Sequence, residues 1–545
     1  MFKYLSNLFH STTRPTTRQA VRRSRSGSPS SIEALEDRIA PAGLIDVAFH
    51  NGTLQINGDA QNNTLTVYET ADGRLTLTTD IGTALRVNGA DVSGFLGHTL
   101  DGVVTGGITV NLGDGIDALT FNGAGGQDLD LPSFLKVNSG NGSNTITFMQ
   151  GVTVSGDVTI TGGADSDTIH LNDEVNFLGK LTINNGAGGS TLDANTTGEI
   201  HVGGVLGVTS GAGLDKIDLN MAQHVTLGGF ALKTGTDADG SSTKLGPVKA
   251  LTVNGNVMVT NGPGNDDLDF GDGSMDTKVT GKVTIAMGAG SNHTDIIGST
   301  SLSIGGALNV TGGVGGDLVH LGLNSGSVSF GNITVNPGLG NNSTIVAGID
   351  LSVFGGITIL GASNVDTVQI LATNDSIITG AVSASLGAGS NTFEAHADPT
   401  HTLSIGKALT VLNTSLTGNN DNIDLRNLKV QGATMIKTGA GNDTASIDDA
   451  TFNGKFSLLT GAGTDNVNIE QKASLLGYTI FNQSFLVQTG AGDDLVKVSD
   501  VLPKAEQKAI FGGTAKFDGG TGTNTLQLFQ FVNPFYGLPP VKIGF

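Results

Sequence analysis

One short motif recurs at an almost constant interval and constrains the fold of this chain more than any other feature. It reads G-x-G-x-[DN]-x-φ-x-φ, where φ is an apolar residue or Thr. In the most regular stretch its Asp or Asn occupies positions 266, 292, 317, 342, 366 and 391, with gaps of 26, 25, 25, 24 and 25 residues. A constant period of roughly 20–50 residues is typical of solenoids, in which each repeat packs only on its neighbours. The motif therefore predicts a repeat array.

Within each repeat, short runs alternate polar and apolar residues between Gly-rich turns, as in SLSIGGALNVTGG at residues 301–313. Such alternation is typical of half-buried strands, and the frequent Gly, Val, Ile and Thr disfavour helices. We therefore predict an all-β chain that folds as a parallel β-solenoid, a β-helix with coils of about 25 residues. We expect right-handed winding, because parallel crossover connections have that hand.

Composition divides the chain into four predicted segments. Residues 1–43 are basic and rich in Ser and Thr, which is typical of an unfolded targeting segment. Residues 44–110 contain alternating runs divided by Asn-Gly and Asp-Gly turns, and we interpret them as a β-rich N-terminal cap. Residues 111–530 are the predicted solenoid, and the apolar, Pro-containing residues 531–545 are the predicted C-terminal cap. Caps are expected because an open end coil exposes unpaired backbone groups.

The block SIEALEDRIAPAG at residues 31–43 resembles the LEPR-type N-terminal segment of large, repetitive extracellular proteins of certain bacteria. The matching residues are Leu35, Glu36 and Arg38, whereas the Pro that the family has before Arg is Asp37 here. The resemblance covers about a dozen residues and implies export or sorting, and thus an extracellular or cell-surface location. The alternative is a basic tail with no sorting role.

The charge of the chain excludes some classes of partner. Residues 1–43 carry seven Lys or Arg and three Asp or Glu, a net charge of +4. Because the whole chain has a net charge of −21, the remaining residues carry −25. So acidic a body would be repelled by phosphate backbones, and we expect no nucleic-acid partner. No stretch of 18 apolar residues occurs, so we predict no transmembrane helix. The absence of Cys excludes disulfides and zinc–thiolate sites.

The G-x-G-x-D phrase resembles the calcium-binding nonapeptide of repeats-in-toxin proteins, which implies calcium at its Asp residues. The copies here come once per coil, not in tandem, and many have Asn instead of Asp. A separate argument comes from stacking, because equivalent turns about 4.8 Å apart would place Asp443, Asp465 and Asp494 in one column of like charges. Ca²⁺ would relieve their repulsion and prefers oxygen ligands. Alternatively, these Asp cap their turns, as Asn does equally well.

The strand that follows each motif residue predicts a second, outward column. Positions +2 and +4 after the Asp or Asn are usually apolar and should face the core, so position +3 should face outward. Residues at position +3 form a mixed polar ladder: His170, Asp218, Asp269, Asp295, His320, Gln369, Glu394, Asp424, Asn468 and Lys497. His170 and His320 lie 150 residues apart, which is six coils or about 29 Å, so they cannot share a metal.

One further cluster could hold a transition metal. The sequence HADPTH places His396, Asp398 and His401 within six residues, and imidazole with carboxylate can bind zinc. Beyond the two histidines no third strong ligand is evident, and Pro399 indicates a loop. We therefore interpret these residues as solvated.

The sequence thus favours an exported structural or adhesive surface solenoid without enzymatic activity. Its expected partners are surface or matrix polysaccharides or other surface proteins. A calcium-dependent adhesin is one alternative, and a polysaccharide-degrading β-helix is another. The enzyme is disfavoured because the coils contain few Arg and no Trp, which leaves few bases and few platforms for stacking on sugars.

Overall fold

The computed structural model describes residues 43–545 except 93–96, 124–127, 214, 237–239, 272–273, 363, 414–417, 472–476, 500–507, 530 and 533–538. All of these residues belong to one compact unit, Pro41–Phe545. The predicted targeting segment, up to residue 42, and the LEPR-like block within it lie outside the described residues, as does part of the predicted C-terminal cap. No helix long and apolar enough to cross a membrane occurs in the part of the chain that the structure describes.

The described residues form strands and no helix, and they wind into a parallel β-solenoid of about 16 turns of about 25 residues. This confirms the predicted fold class, whereas the right-handed winding stays a prediction. A typical coil has three strands, Ser301–Ile304, Leu308–Thr311 and Leu318–Leu321. Each strand pairs in parallel with its equivalents one coil before and one coil after, which produces three ladders.

We call these the first ladder, the second ladder and the motif ladder, in chain order within a coil. The first ladder contains Leu129–Leu131, Val152–Val154, Val175–Phe177, Ala250–Val253, Asp276–Val279, Ser301–Ile304, Ser327–Phe330, Asp350–Val353, Ser376–Ile378, Leu403–Ile405, Leu428–Val430, Thr451–Phe452, Thr479–Phe481, Ala509–Phe511 and Phe531–Val532. The second ladder contains Thr53–Asn57, Ile108–Asn111, Leu135–Gly140, Val158–Gly162, Leu181–Asn184, Val257–Thr260, Val283–Ala286, Leu308–Thr311, Ile333–Gly338, Ile357–Gly361, Val382–Ser385, Leu409–Leu412, Thr434–Lys437, Phe456–Leu459, Phe485–Gln488, Ala515–Asp518 and Val541–Ile543. Two long strands run through both of these ladders, Glu199–Thr209 and His224–Lys233.

The motif ladder contains Thr64–Glu69, Ala118–Asn122, Thr145–Met149, Asp167–Leu171, Ser190–Asp193, Asp215–Asp218, Ser241–Leu245, Asp267–Phe270, His293–Ile296, Leu318–Leu321, Asn342–Gly348, Asp366–Ala372, Thr392–Ala397, Asn422–Arg426, Thr444–Asp448, Asn466–Ile469, Leu495–Val498 and Thr525–Leu528. Most of these strands begin at the motif Asp or Asn or shortly after it, and Ser190 and Ser241 occupy the motif position in two of them. The motif residues are therefore placed at the corner where every coil enters this ladder.

Antiparallel pairing occurs at the N-terminal end of the described chain. Strand Gly43–His50 pairs antiparallel with Thr53–Asn57, and Thr64–Glu69 pairs antiparallel with Leu75–Thr79. The remaining strands here are Thr83–Val87, Ala90–Asp91 and His98–Thr99. These hairpins lie within the predicted N-terminal cap and satisfy backbone groups that the first parallel coils would otherwise expose.

The core follows the alternation of each strand, as predicted. Val319 and Leu321 are fully buried, whereas their neighbours Leu318 and His320 are only partly covered. Aromatic rings continue this core from coil to coil: Phe452 and Phe481 stack with centroids 5.3 Å apart, and other Phe pairs near the C-terminus lie at similar distances. Each coil thus buries its apolar face against its neighbours, which a single coil cannot do.

The second glycine of the motif has a steric role. In Gly290 and Gly315 φ is +119° and +143°, a region that side chains rarely adopt. A Cβ on Gly290 would lie 1.9 Å from the carbonyl oxygen of Gly264, and one on Gly315 would lie 1.8 Å from that of Gly290. Glycine is therefore favoured where successive coils approach so closely, and Asn364 occupies the same position with a φ of +144°.

Candidate functional site

The motif Asp and Asn residues form a buried column at the entrance to the motif ladder. Their exposed fractions are all below 5%, and members include Asp117, Asn144, Asp167, Asp215, Asp266, Asn292, Asp317, Asn342, Asp366, Asn391, Asp421, Asp443, Asp465 and Asp494. At most steps the backbone N–H of one residue donates to the side-chain Oδ1 of the next. The N–H of Asp366 donates to Asn391 Oδ1, and the N–H of Asn391 donates to Asp421 Oδ1, each at a distance of 2.9 Å. We call this column the Asx ladder.

The predicted calcium ligands are consecutive members of the Asx ladder. Asp465 Oδ1 accepts the N–H of Asp443 at 2.9 Å, and Asp494 Oδ1 accepts that of Asp465 at 3.0 Å. The second carboxylate oxygens of Asp443 and Asp465 accept hydroxyl protons from Thr438 and Thr460. These contacts are the ones expected for turn-capping side chains. Calcium binding at Asp443, Asp465 and Asp494 stays a prediction, and the turn-capping alternative explains the observed contacts without an ion.

Burial shifts the ionisation of the Asx ladder. It raises the pKa of Asp421 to about 7 and the pKa of Asp366 and of Asp465 to about 6, because hydrogen bonds only partly offset the loss of water. Asp and Asn alternate from position 266 to 421, so carboxyl groups lie two coils apart there. From Asp421 to Asp494 each coil supplies an Asp, and the neighbouring charge of Asp443 contributes to the raised pKa of Asp421.

A second cluster lies on the outer face of the motif ladder, in three consecutive strands. The parallel register places Asp269 beside Asp295 and Asp295 beside His320, all at position +3. The same register places Asp267 beside His293 at position +1. Because positions +1 and +3 of a strand share a face, the five side chains converge on one patch. We call it the His/Asp cluster.

Distances within the His/Asp cluster are short. Asp295 Oδ1 lies 2.9 Å from His293 Nε2 and 2.9 Å from His320 Nδ1. His293 Nδ1 lies 3.3 Å from Asp267 Oδ1, and the two imidazole rings meet edge to face with centroids 5.6 Å apart. Two triads, His293–Asp295–His320 and Asp267–Asp269–His293, each bring their potential ligand atoms within 4.8 Å of one another.

The electrostatics of the cluster are dominated by its carboxylates. Asp269 was expected to face solvent, but it is only 8% exposed because neighbouring strands cover it. This burial raises its pKa, as do the nearby charges of Asp267 and Asp295, whereas Lys244 lowers it. The Lys244 ammonium lies 3.4 Å from Asp269 Oδ2. Chemically, the cluster offers two imidazoles and several carboxylate oxygens to a cation.

No family model, curated protein or solved structure matches this chain. The interpretation of the Asx ladder and of the His/Asp cluster therefore depends on their geometry. Sequence reasoning placed Asp269, Asp295 and His320 in one outward column but did not include His293 and Asp267. Reading positions +1 and +3 together over consecutive coils would have found the whole cluster.

The other candidate metal ligands that the sequence suggested do not belong to the His/Asp cluster. His396 lies within strand Thr392–Ala397, and burial is the main cause that lowers its pKa. Asp398 is exposed in the turn that follows, and His401 lies 3.8 Å from Asp375. His170 contacts Asp193 in the next coil, far from His320 along the chain. Among the residues that the structure describes, only the His/Asp cluster brings three or more potential metal ligands together.

A buried carboxyl group that sequence reasoning did not identify lies at a corner of the solenoid. Glu470 follows strand Asn466–Ile469, is fully buried and has a φ of +57°. Its Oε2 accepts the hydroxyl proton of Thr479 at 2.5 Å and the N–H of Asp449 at 3.2 Å. Burial, the largest effect, raises its pKa to about 8. Glu470 is therefore neutral in the folded protein near neutral pH.

Proposed function

We propose that this chain is an exported structural element of a cell surface or extracellular matrix and that it has no enzymatic activity. The observation that carries the proposal is the apolar core that continues through about 16 turns, together with the Asx ladder that is present in most of them. Successive coils are joined by parallel backbone pairing, by side-chain hydrogen bonds and by packed apolar residues. With strands about 4.8 Å apart, such a stack extends for roughly 75 Å.

Several properties of the chain support this role over a catalytic one. Repeated coils add length at a nearly constant gain in stability per coil, which suits a spacer or scaffold. The Asp and Asn side chains that recur most regularly are buried and engaged in hydrogen bonds between coils. The acidic surface favours solubility outside the cell and repels other acidic surfaces. Export itself is proposed from the basic segment 1–43 and its LEPR-like block.

Deleting residues 1–43 tests the proposal. In the organism that encodes the chain, we expect a tagged full-length protein to be accessible to antibody and protease on intact cells or to appear in the medium. We expect the protein that begins at residue 44 to remain inside, with an unchanged melting temperature after purification. Full-length protein found only inside intact cells would refute export, and a lower melting temperature of the truncated chain would refute a purely targeting role for the segment.

A second measurement tests the absence of enzymatic activity. We expect the purified chain to leave acidic polysaccharides unshortened, with and without Ca²⁺, when polymer length is followed by size-exclusion chromatography. Shortening of the polymer would favour a β-helix enzyme instead. Calcium-dependent retention on the polysaccharide without shortening would favour an adhesin.

A further inference from the structure

We propose that the His/Asp cluster binds one divalent transition-metal ion of the zinc type. His293, Asp295 and His320 supply the primary ligands, and Asp269 or water fills the remaining position. The inference depends on the side chains of three adjacent strands, Asp267–Phe270, His293–Ile296 and Leu318–Leu321. It does not depend on the proposed structural role or on the location of the protein.

The distances among the three primary ligands fit a small coordination sphere. Zn²⁺ bonds to imidazole nitrogen and carboxylate oxygen are about 2.0–2.1 Å long, so a tetrahedral ion holds its donors roughly 3.3 Å apart. Asp295 Oδ1 lies 2.9 Å from one nitrogen of each histidine. Small rotations of the side chains would open both distances to the required value, and the parallel register already holds the three residues side by side.

The geometry of the contacts indicates donors that are not satisfied by one another. His293 Nε2 and Asp295 Oδ1 are both buried, yet neither has a partner of acceptable hydrogen-bond geometry among the described residues. Their separation of 2.9 Å is short enough for a hydrogen bond, so their alignment is what prevents one. Both atoms carry lone pairs that a cation can bind, and both lie within 4.8 Å of a ring nitrogen of His320.

The charge of the cluster favours a divalent ion. Asp267, Asp269 and Asp295 contribute three carboxylates, and among the described residues Lys244 is the one Lys or Arg that forms an ion pair with them. With neutral imidazoles the cluster therefore carries two excess negative charges, which one divalent cation neutralises. Two imidazole ligands favour zinc and related ions over Ca²⁺, which prefers oxygen ligands.

The ion would add a link between coils that backbone pairing, hydrogen bonds of the Asx ladder and packing already join. His293 and Asp295 belong to one coil, His320 belongs to the next coil, and Asp269 belongs to the one before. A ligand that binds the folded state and spans these coils stabilises that part of the solenoid against local opening. The competing interpretation is that protonated histidines form simple ion pairs with the carboxylates, without a metal.

Cobalt substitution tests the proposal on the untagged full-length chain. We expect about one equivalent of Co²⁺ to produce the visible absorption of a four- or five-coordinate site, and Zn²⁺ but not excess Ca²⁺ to abolish it. We expect His293→Asn and His320→Asn each to weaken Zn²⁺ binding by about 100-fold or more, because even loss of an outer partner of a metal ligand costs about 10–100-fold. Zn²⁺ should also raise the melting temperature of the wild type but not of these variants.

His170→Asn is the matched control. His170 has the same motif position as His320 and contacts an Asp in the adjacent coil, but it lies outside both triads. We expect this variant to keep wild-type Co²⁺ and Zn²⁺ binding. Absence of tight Co²⁺ and Zn²⁺ binding by the wild type would overturn the proposal, as would displacement of Co²⁺ by Ca²⁺ or equal losses in His170→Asn and His320→Asn. If His320→Asn lowers the melting temperature in EDTA, Asp295→Asn provides the second test, and unchanged Zn²⁺ binding by that variant would refute the site.

Discussion

Replacing Glu470 with Gln should change how the stability of the solenoid depends on pH. Burial raises the pKa of Glu470 from 4.5 to about 8, so the folded chain holds a proton that the unfolded chain releases at lower pH. The stability linked to this proton is fully present below about pH 4.5 and is lost as the pH rises towards about 8. Gln keeps the shape of the side chain and does not ionise.

The magnitude follows from the two pKa values. The interval from 4.5 to about 8, at about 1.36 kcal/mol for each pKa unit, corresponds to about 5 kcal/mol of unfolding free energy. Near pH 7 about 3 kcal/mol of this loss should already be present. The amide oxygen of Gln can accept the same hydrogen bonds from Thr479 and Asp449. We therefore expect similar stability of the two proteins at acid pH and a more stable Glu470→Gln variant at alkaline pH.

Calorimetry of both proteins between about pH 5 and pH 9 measures this difference. Because a repeat array can open in parts, hydrogen exchange of the strands around Glu470, Thr444–Asp448 and Thr479–Phe481, should report the same trend locally. Glu199→Gln removes a carboxyl group at an exposed position and controls for the change in net charge. A stability difference between the wild type and Glu470→Gln that does not vary with pH would refute the reasoning.

Two further predictions concern the core and the Asx ladder. Ile469→Asp should lower the unfolding free energy by several kcal/mol, because Ile469 is fully buried and the new charge would have no partner. Asn468→Asp on the outer face should be tolerated. Equal losses of stability in thermal melts of the two variants would contradict the register. Replacing Asp443, Asp465 and Asp494 together with Asn should leave melting temperatures equal or higher in EDTA and in millimolar Ca²⁺ if these residues only cap turns. A wild type stabilised by Ca²⁺, by about 2.7 kcal/mol at a hundredfold excess over Kd, together with loss of that gain in the triple variant, would instead establish the calcium site.

The fold could be predicted because period and alternation are properties of the sequence alone. A spacing of about 25 residues set the size of the coil, and alternation within strands such as Leu318–Leu321 set which side chains face the core. The outward position of Asp295 and His320 followed from the same rule. The raised pKa of Asp421 did not, because it depends on how completely neighbouring coils exclude water.

The candidate sites were less accessible to sequence reasoning because they depend on pairing between coils. His293 lies two residues before Asp295 in the chain, but its convergence with His320 depends on the register of the next strand. Neither composition nor a motif marks Glu470, since its burial and its contacts with Thr479 and Asp449 depend on how distant parts of the chain pack together. Local patterns predict which face a side chain occupies, whereas its partners come from the stacking.

The contact between glycines of successive coils also bears on how the length of such a protein can change. Gly290 lies against the carbonyl of Gly264, and Gly315 lies against that of Gly290, so each glycine meets an equivalent atom one coil earlier. Duplication or loss of a whole coil would leave every such contact with an equivalent partner. A difference of one residue in coil length is taken up within that coil, because Gly290 follows Gly264 by 26 residues and Gly315 follows Gly290 by 25, and both contacts form. The length of the stack should therefore change in steps of one coil, whereas the number of residues within a coil can vary.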